Sequence, residues 1–183
     1  FLTQILPYPP NAGPRVKTWY VLKHLAHSGH EITLLTYLRS DEEIFLPYVA
    51  EICKQVYPVP IRRSRILDIF FGLKSLLAGR SFLVERDNLP AMRKKLREII
   101  LNEEFDVIHA DQLGMAQFAW QAKTLLAKRK TSPLPRLIFD AHNAVWTIVE
   151  RMTSQLPRLA KPLINLEKRK IKTYEGWLLD HFD

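Results

Sequence analysis

Short apolar segments alternate with amphipathic segments along the whole chain, and this alternation limits the fold more than any other feature. The apolar segments are continuous hydrophobic runs, in which polar and apolar residues do not alternate. Strands of that composition are covered on both faces, as happens in parallel sheets flanked by helices. The sequence therefore predicts an α/β fold, a Rossmann-like parallel sheet with helices on both faces.

Periodicity and capping signals place the elements along this alternation. Strands are expected over residues 2–6, 31–37, 106–110 and 136–141. Helices are expected over residues 14–28, 41–52, 66–77, 89–101, 113–126 and 162–179. Residues 55–61 are expected to be extended but broken by proline, and residues 131–135 to form a loop. Gly29 is expected in the position that ends the first helix.

The chain has neither an internal repeat nor a low-complexity linker, so residues 1–183 are expected to form a single domain. It starts with Phe1 inside an apolar run, and residues 178–183 carry no helix stop signal, so we expect a domain cut at both ends from a longer protein.

Cys53 is the only cysteine, which excludes an intramolecular disulfide and favours a reducing, cytoplasmic compartment. No apolar run approaches the roughly 20 residues of a membrane-spanning helix.

The chain is strongly basic, with 27 Lys and Arg residues against 19 Asp and Glu residues and a net charge of +8. The positive charge is concentrated in residues 62–97 and 158–172. Such a balance fits nucleic acid, an anionic membrane surface or phosphorylated ligands. Because the aromatic residues do not interleave with the basic runs, and no nucleic-acid-binding signature is present, nucleic acid is not expected as a partner.

Ligands of open parallel sheets bind beyond the carboxyl ends of the strands, so residues at strand ends are candidate site residues. The first predicted strand leads into a Pro-rich loop, in which Gly13 directly precedes a helix. Glycine lets the backbone approach a ligand, a helix N-terminus offers N–H donors to an anion, and Arg15 adds a charge suited to phosphate. The alternative is a Pro-rich connection with a helix cap. The loop is neither a Walker loop nor the GxGxxG fingerprint, and no cofactor is expected.

Two further strand ends carry polar residues. Asp111 lies where an acid can accept a hydrogen bond from a hydroxyl group or stabilise developing positive charge, whereas His109 is expected to be structural. After the last predicted strand, His142 and Asn143 form a polar pair directed into the crevice, and Asp140 is expected to cap a turn. The chain has no HExxH motif, no cysteine pair and no GxSxG elbow, so neither a metal site nor a serine hydrolase is expected.

Four segments, in this order along the chain, together match the pattern of one known family. They are PYPPNAGPRVKTWYVLKHLAHSGHEITLLTY, FDVIHADQLG, IFDAHNAVWTIVERM and LEKRKIKTYEGWLLDHFD. The first resembles the opening strand, Gly-rich loop, helix and second strand of retaining glycosyltransferases of family 4, and the second resembles that family's fourth-strand exit. The third is similar to the D-x-H-N segment of a bacterial subgroup linked to exopolysaccharide synthesis. The fourth resembles the helix that precedes the next strand.

The resemblance implies a GT-B architecture, in which two Rossmann-like domains enclose the active site and this chain is the N-terminal, acceptor-side domain. It implies transfer from a nucleotide-diphosphate sugar to a glycan or lipid-linked acceptor, with retention, and the leaving diphosphate helps to deprotonate the acceptor. The chain without its donor-binding domain is expected to be inactive. The implied site consists of the catalytic Asp111 and of substrate-binding Gly13, Arg15, His142 and Asn143. Departures from the family are Ala12, where many relatives have glycine, and Asp111 in place of the commoner histidine.

Two alternatives remain open at this point: another GT-B-fold enzyme such as a nucleotide-sugar 2-epimerase, and a non-catalytic Rossmann-like binding module. A separate choice concerns residues 61–74, which mix arginines with Phe70, Phe71 and Leu73. This segment is expected either to contact an anionic membrane peripherally, at the inner membrane face, or to be a core helix with a solvated basic face.

Overall fold

A computed structural model describes residues 1–153, 157 and 160–183, and its centre is a sheet of parallel strands. The strands are β1 (Leu2–Thr3), β2 (Thr33–Leu38), β3 (Gln55–Pro60), β4 (Val107–Asp111) and β5 (Arg136–Asp140). Their order in the sheet is β3-β2-β1-β4-β5, and every neighbouring pair is parallel. The predicted Rossmann-like α/β fold is confirmed.

The helices alternate with the strands as expected, with some changes of extent. They are α1 (Gly13–His27), α2 (Leu46–Ala50), α3 (Arg65–Leu77), α4 (Phe82–Glu85), α5 (Pro90–Asn102), α6 (Leu113–Lys128), α7 (Val145–Thr153) and α8 (Lys161–His181). Gly29 has a φ of +84° just after α1, as predicted for its end. The short α4 and α7 were not predicted, because neither is long enough to show a clear helical period.

Two predicted elements differ from the structure because of proline. The single helix expected over residues 41–52 is instead a 3₁₀ turn (Glu43–Phe45) followed by α2, with Pro47 in the first turn of α2. The segment expected to be broken by proline is an unbroken strand, β3. This strand lies at the edge of the sheet, where proline can be accommodated because one side of the strand donates no ladder hydrogen bonds.

The sheet is covered on both faces, which explains the continuous apolar character of its strands. One face packs under α1 and α2 through Leu6, Leu22, Leu34, Leu38, Val49 and Cys53. The other packs under α5, α6 and α8 through a larger set that includes Leu35, Ile108, Leu137, Phe118 and Ile171. Burial raises the pKa of the Cys53 thiol to about 11, so this cysteine behaves as a small hydrophobic residue of the core.

Candidate functional site

An open cleft of about 260 Å³ lies at the carboxyl edge of β1, β4 and β5, where the strand-end rule predicts a ligand. Its polar lining comes from the segments that follow these strands and from the connection after α4. These polar residues are Gln4, Arg86, Asp87, Gln112, His142 and Asn143. Its apolar lining includes Leu83 on α4 and Val145 and Ile148 on α7. The cleft therefore combines hydrogen-bonding groups with apolar side chains.

Asp111 is the last residue of β4, and its side chain is completely buried behind the cleft. Its Oδ2 atom accepts hydrogen bonds from the hydroxyls of Thr3 and Thr18, both at 2.9 Å. Thr3 lies opposite Asp111 in the pairing of β1 with β4, and Thr18 lies on α1. Its Oδ1 atom lies 2.6 Å from Nε2 of His142. Both carboxylate oxygens are thus bound to protein groups, and Asp111 contacts the cleft through His142.

His142 follows β5 and has a side chain that is largely buried, with one edge lining the cleft. Because an ionised carboxylate can only accept, Nε2 of His142 is the donor of this hydrogen bond and Asp111 Oδ1 is the acceptor. In the neutral ring this leaves Nδ1 as the acceptor. Asn143, the next residue, also lines the cleft. The structure therefore brings Asp111, His142 and Asn143 together, as their positions at neighbouring strand ends suggest.

Gln112 is a site residue that the sequence did not reveal. It forms the whole turn between β4 and α6, with φ +76° and ψ 158°, a backbone conformation that is essentially restricted to glycine. Its Nε2 atom is buried and has no hydrogen-bond partner in the described part of the chain. Strained backbone and unpaired buried polar atoms tend to occur at functional sites. The only sequence signal was a strand joined to a helix with no glycine between them.

A second set of polar side chains meets at Asp87, which is buried beside the cleft. Its carboxylate binds the side chains of Gln4 and Arg63, and its carbonyl oxygen accepts from the Tyr37 hydroxyl. Burial raises the pKa of Asp87 above its usual value, against the opposing effect of Arg63. A Cβ atom at Gly114 would lie 2.5 Å from Asp87 Oδ2, so a larger residue at this position would force the Asp87 carboxylate to move.

The Pro-rich loop contributes less to the cleft than expected. Gly13 is the first residue of α1, and a Cβ atom there would meet nothing within 4 Å. Arg15 is paired with the buried Glu42, which also accepts from the backbone N–H of Arg39, and its side chain is not part of the cleft lining. Pro14, in the first turn of α1, does line the cleft.

His109, Asp111 and Asp140 offer ligand atoms that lie within 4.8 Å of one another, a spacing that a metal site would need. Asp140 is already paired with Lys17, and both oxygens of Asp111 accept hydrogen bonds. A cation would have to displace these partners, so the three residues fit a metal poorly. The ring of His109 stacks on Phe1 at 4.2 Å, and burial lowers its pKa more than Asp140 raises it. This packing matches its expected structural role.

In the described residues, none of the helices combines the length and the apolar character needed to cross a bilayer.

Comparisons with known proteins give one partial similarity. No family model matches the chain, and neither does a solved structure. A protein of Klebsiella pneumoniae described as "Uncharacterized 44.6 kDa protein in cps region" is 31% identical over 106 residues. The matched segment is 56% of this chain but only 24% of that relative, so it spans about a quarter of the relative's length. The chain is therefore a Rossmann-like α/β protein with partial similarity to a protein of the cps region.

Proposed function

We propose that this chain is the acceptor-binding domain of a retaining glycosyltransferase of polysaccharide biosynthesis. The complete enzyme would move a sugar from a nucleotide-diphosphate sugar to a glycan or lipid-linked acceptor. The observation that carries the proposal is the buried Asp111–His142 pair, which holds an imidazole at the wall of a cleft beyond the strand ends. The quoted family resemblance supplies the reaction class.

The chemistry of the cleft suits a sugar. Sugar hydroxyls both donate and accept hydrogen bonds, and the exposed amide of Asn143 at the cleft offers both functions. The apolar side chains of Leu83, Val145 and Ile148 in the lining suit the C–H face of a pyranose ring. The volume of about 260 Å³ is slightly below the roughly 300–1,000 Å³ of complete small-molecule sites. A cleft of this size is what one wall of an interdomain site would provide.

In this proposal the two residues of the pair have different tasks. His142 contacts the substrate and accepts a hydrogen bond from a sugar hydroxyl through Nδ1. Asp111 is a positioning residue, because it fixes the ring and the tautomer of His142 and stabilises any positive charge that develops on it. The leaving diphosphate takes the acceptor proton, so the protein need not supply a strong base.

The similarity to a cps-region protein supports a role in capsular or related polysaccharide synthesis, since that region's name denotes capsule formation. The relative's mass of 44.6 kDa is about twice the 21.4 kDa of this chain. A second domain of similar size in the complete protein would provide the donor-binding wall.

The test is a transfer assay with the complete protein. Labelled UDP-glucose, UDP-galactose, UDP-N-acetylglucosamine and GDP-mannose are each supplied with a lipid extract of the source cells, and the anomeric configuration of the product is read by NMR. We expect transfer from one donor with retention. His142→Ala should lower kcat/KM by about 5- to 150-fold, because loss of this hydrogen bond leaves a polar group unpaired at a cost of about 1–3 kcal/mol. His30→Ala, which removes an exposed histidine, is the matched control.

Asp111→Asn tests the positioning role separately. We expect a lower kcat, an unchanged KM for the nucleotide sugar and an unchanged far-UV circular dichroism spectrum. Inversion at the anomeric centre, isomerisation of the donor without transfer, or full activity of His142→Ala would each refute the proposal.

A further inference from the structure

Helix α3 is apolar on the side that faces away from the protein. It buries only Phe71 and Ser75 among its residues. The outward stripe repeats at three- and four-residue intervals, and its members are Ile66 (80% exposed), Ile69 (66%), Phe70 (59%), Leu73 (60%) and Leu77 (90%). Helical residues at this spacing share one face, so α3 presents a continuous apolar stripe to its surroundings. The expected alternative, a core helix with a solvated basic face, does not describe α3.

This stripe borders a groove between α3, α4 and α8. The groove has a volume of about 360 Å³ and an almost wholly apolar lining, which includes Ile69, Leu73, Leu76, Phe82, Leu163 and Leu166. Leu163 and Leu166 on α8 are themselves exposed, so the apolar surface extends from one helix to the other. Monomeric proteins seldom expose contiguous apolar surfaces of this kind unless they bind something. We call the outward stripe and this groove together the α3–α8 surface.

Basic side chains lie at the border of the α3–α8 surface. Arg62, three residues before α3, and Arg65, the first residue of α3, are exposed and have no ion-pair partner among the residues that the structure describes. Lys170 lines the groove and donates to the Ser75 carbonyl oxygen. Lys74 is paired with the buried Glu85, which Arg80 also pairs with. The unpaired arginines therefore form a positive rim at one end of an uncharged apolar stripe.

We propose that the α3–α8 surface docks onto a membrane that contains anionic phospholipids. The apolar stripe enters the acyl-chain boundary, and Arg62 and Arg65 contact the lipid phosphates. An apolar face with cations at its border is the chemistry of helices that lie in the membrane interface. The positive rim favours this occupant over a second protein chain, because a protein partner would need an acidic border of its own.

Docking in this way brings the cleft next to the bilayer. Helix α4 forms a wall of both features, with Phe82 lining the groove and Leu83 lining the cleft. An acceptor held in the membrane by a lipid chain could therefore reach His142 while its lipid stays in the bilayer. This choice of a lipid-linked acceptor rests on the proposed function, whereas the docking itself does not.

Vesicle sedimentation tests the docking without any sugar transfer, so its failure is distinct from failure of the proposed function. The protein is mixed with phosphatidylcholine vesicles that contain or lack phosphatidylglycerol. We expect cosedimentation with the anionic vesicles, weaker binding at high salt and little binding to phosphatidylcholine alone. Leu73→Glu with Leu77→Glu should abolish it. Ile44→Glu, at a residue that is 71% exposed outside the α3–α8 surface, is the control that should bind normally.

The charge requirement is tested with a matched pair of double variants. Arg62→Glu with Arg65→Glu should weaken binding by an order of magnitude or more. Lys94→Glu with Arg97→Glu makes the same change of net charge on exposed positions of α5 and should have a smaller effect. Absence of sedimentation with anionic vesicles at low salt overturns the proposal, as does equal weakening by the two pairs. Concentration-dependent dimerisation that Leu73→Glu removes, without vesicle binding, would assign the surface to a second copy instead.

Discussion

Replacing Gln112 with glycine should stabilise the protein, although the residue lies at the centre of the candidate site. Its φ of +76° and ψ of 158° place it in a region that glycine enters freely and other residues do not. The backbone hydrogen bonds of this turn run from Gln112 N–H to the Asp140 carbonyl oxygen and from Met115 N–H to the Gln112 carbonyl oxygen. These bonds hold the turn in place, so the strain persists in the native state.

The size of the effect follows from two opposing contributions. Relief of the strained backbone contributes about 1–3 kcal/mol. The greater freedom of glycine in the unfolded chain costs about 0.5–1 kcal/mol. With mid-range values of both contributions, the net gain in the free energy of unfolding is about 1 kcal/mol, which for a chain of this length raises Tm by roughly 2–4 °C. Loss of the unpaired amide removes a further unfavourable contribution from the native state.

The assay is urea unfolding followed by far-UV circular dichroism for the wild type, Gln112→Gly and Gln112→Ala. Alanine removes the amide but keeps the strain, so the glycine variant should be the more stable of the two by about 0.5–2 kcal/mol. Gln121→Gly, inside the regular part of α6, is the control and should destabilise by about 1 kcal/mol. Equal stability of Gln112→Gly and Gln112→Ala would refute the strain argument.

Two further predictions concern packing and pH. Gly114→Ala should destabilise the protein by about 1–3 kcal/mol in the same urea assay, because the added Cβ would meet the Asp87 carboxylate. The control is Gly176→Ala on α8, where a Cβ meets nothing and should stabilise the protein by up to about 1 kcal/mol. A stable Gly114→Ala variant would show that Asp87 can move. Burial lowers the pKa of His109 below 6.5, so the His109 ring binds a proton more readily in the unfolded chain than in the folded one. The free energy of unfolding should therefore fall as the pH drops through about 6.5 toward the folded-state pKa. His109→Gln should lose less stability than the wild type between neutral and mildly acidic pH, and an identical pH dependence would contradict this account.

The fold class was predictable because it depends on hydrophobic patterns that are local in the sequence. Continuous apolar runs and helical periods were enough to predict a parallel sheet covered on both faces. The error over β3 arose because Pro58 and Pro60 break a strand only where it has neighbours on both sides. Whether a strand lies at the edge of a sheet depends on the order of all strands, and no local pattern contains that order.

The site was predictable in part, for a similar reason. Asp111 ends β4 and His142 follows β5, and because these strands are neighbours in the sheet, the strand-end rule correctly predicted that the two residues lie close together. The ion pair of Arg15 with Glu42 depends on where the 3₁₀ turn packs against α1, which the sequence does not reveal. Gln112 escaped notice because glutamine rarely adopts a positive φ, and only the folded backbone shows that it does so here.

The carboxylate of Asp111 also has a consequence for how the site comes into being during folding. It joins Thr3, which is 108 positions away in sequence, to His142, which is 31 positions away. Contacts of such long range form only after the chain has closed large loops. A chain in which β1 has not yet docked would therefore leave Asp111 without the Thr3 hydroxyl that helps to hold its carboxylate beside His142. Binding competence should appear together with global folding, and a probe of the His142 ring should report the cooperative transition rather than a local one.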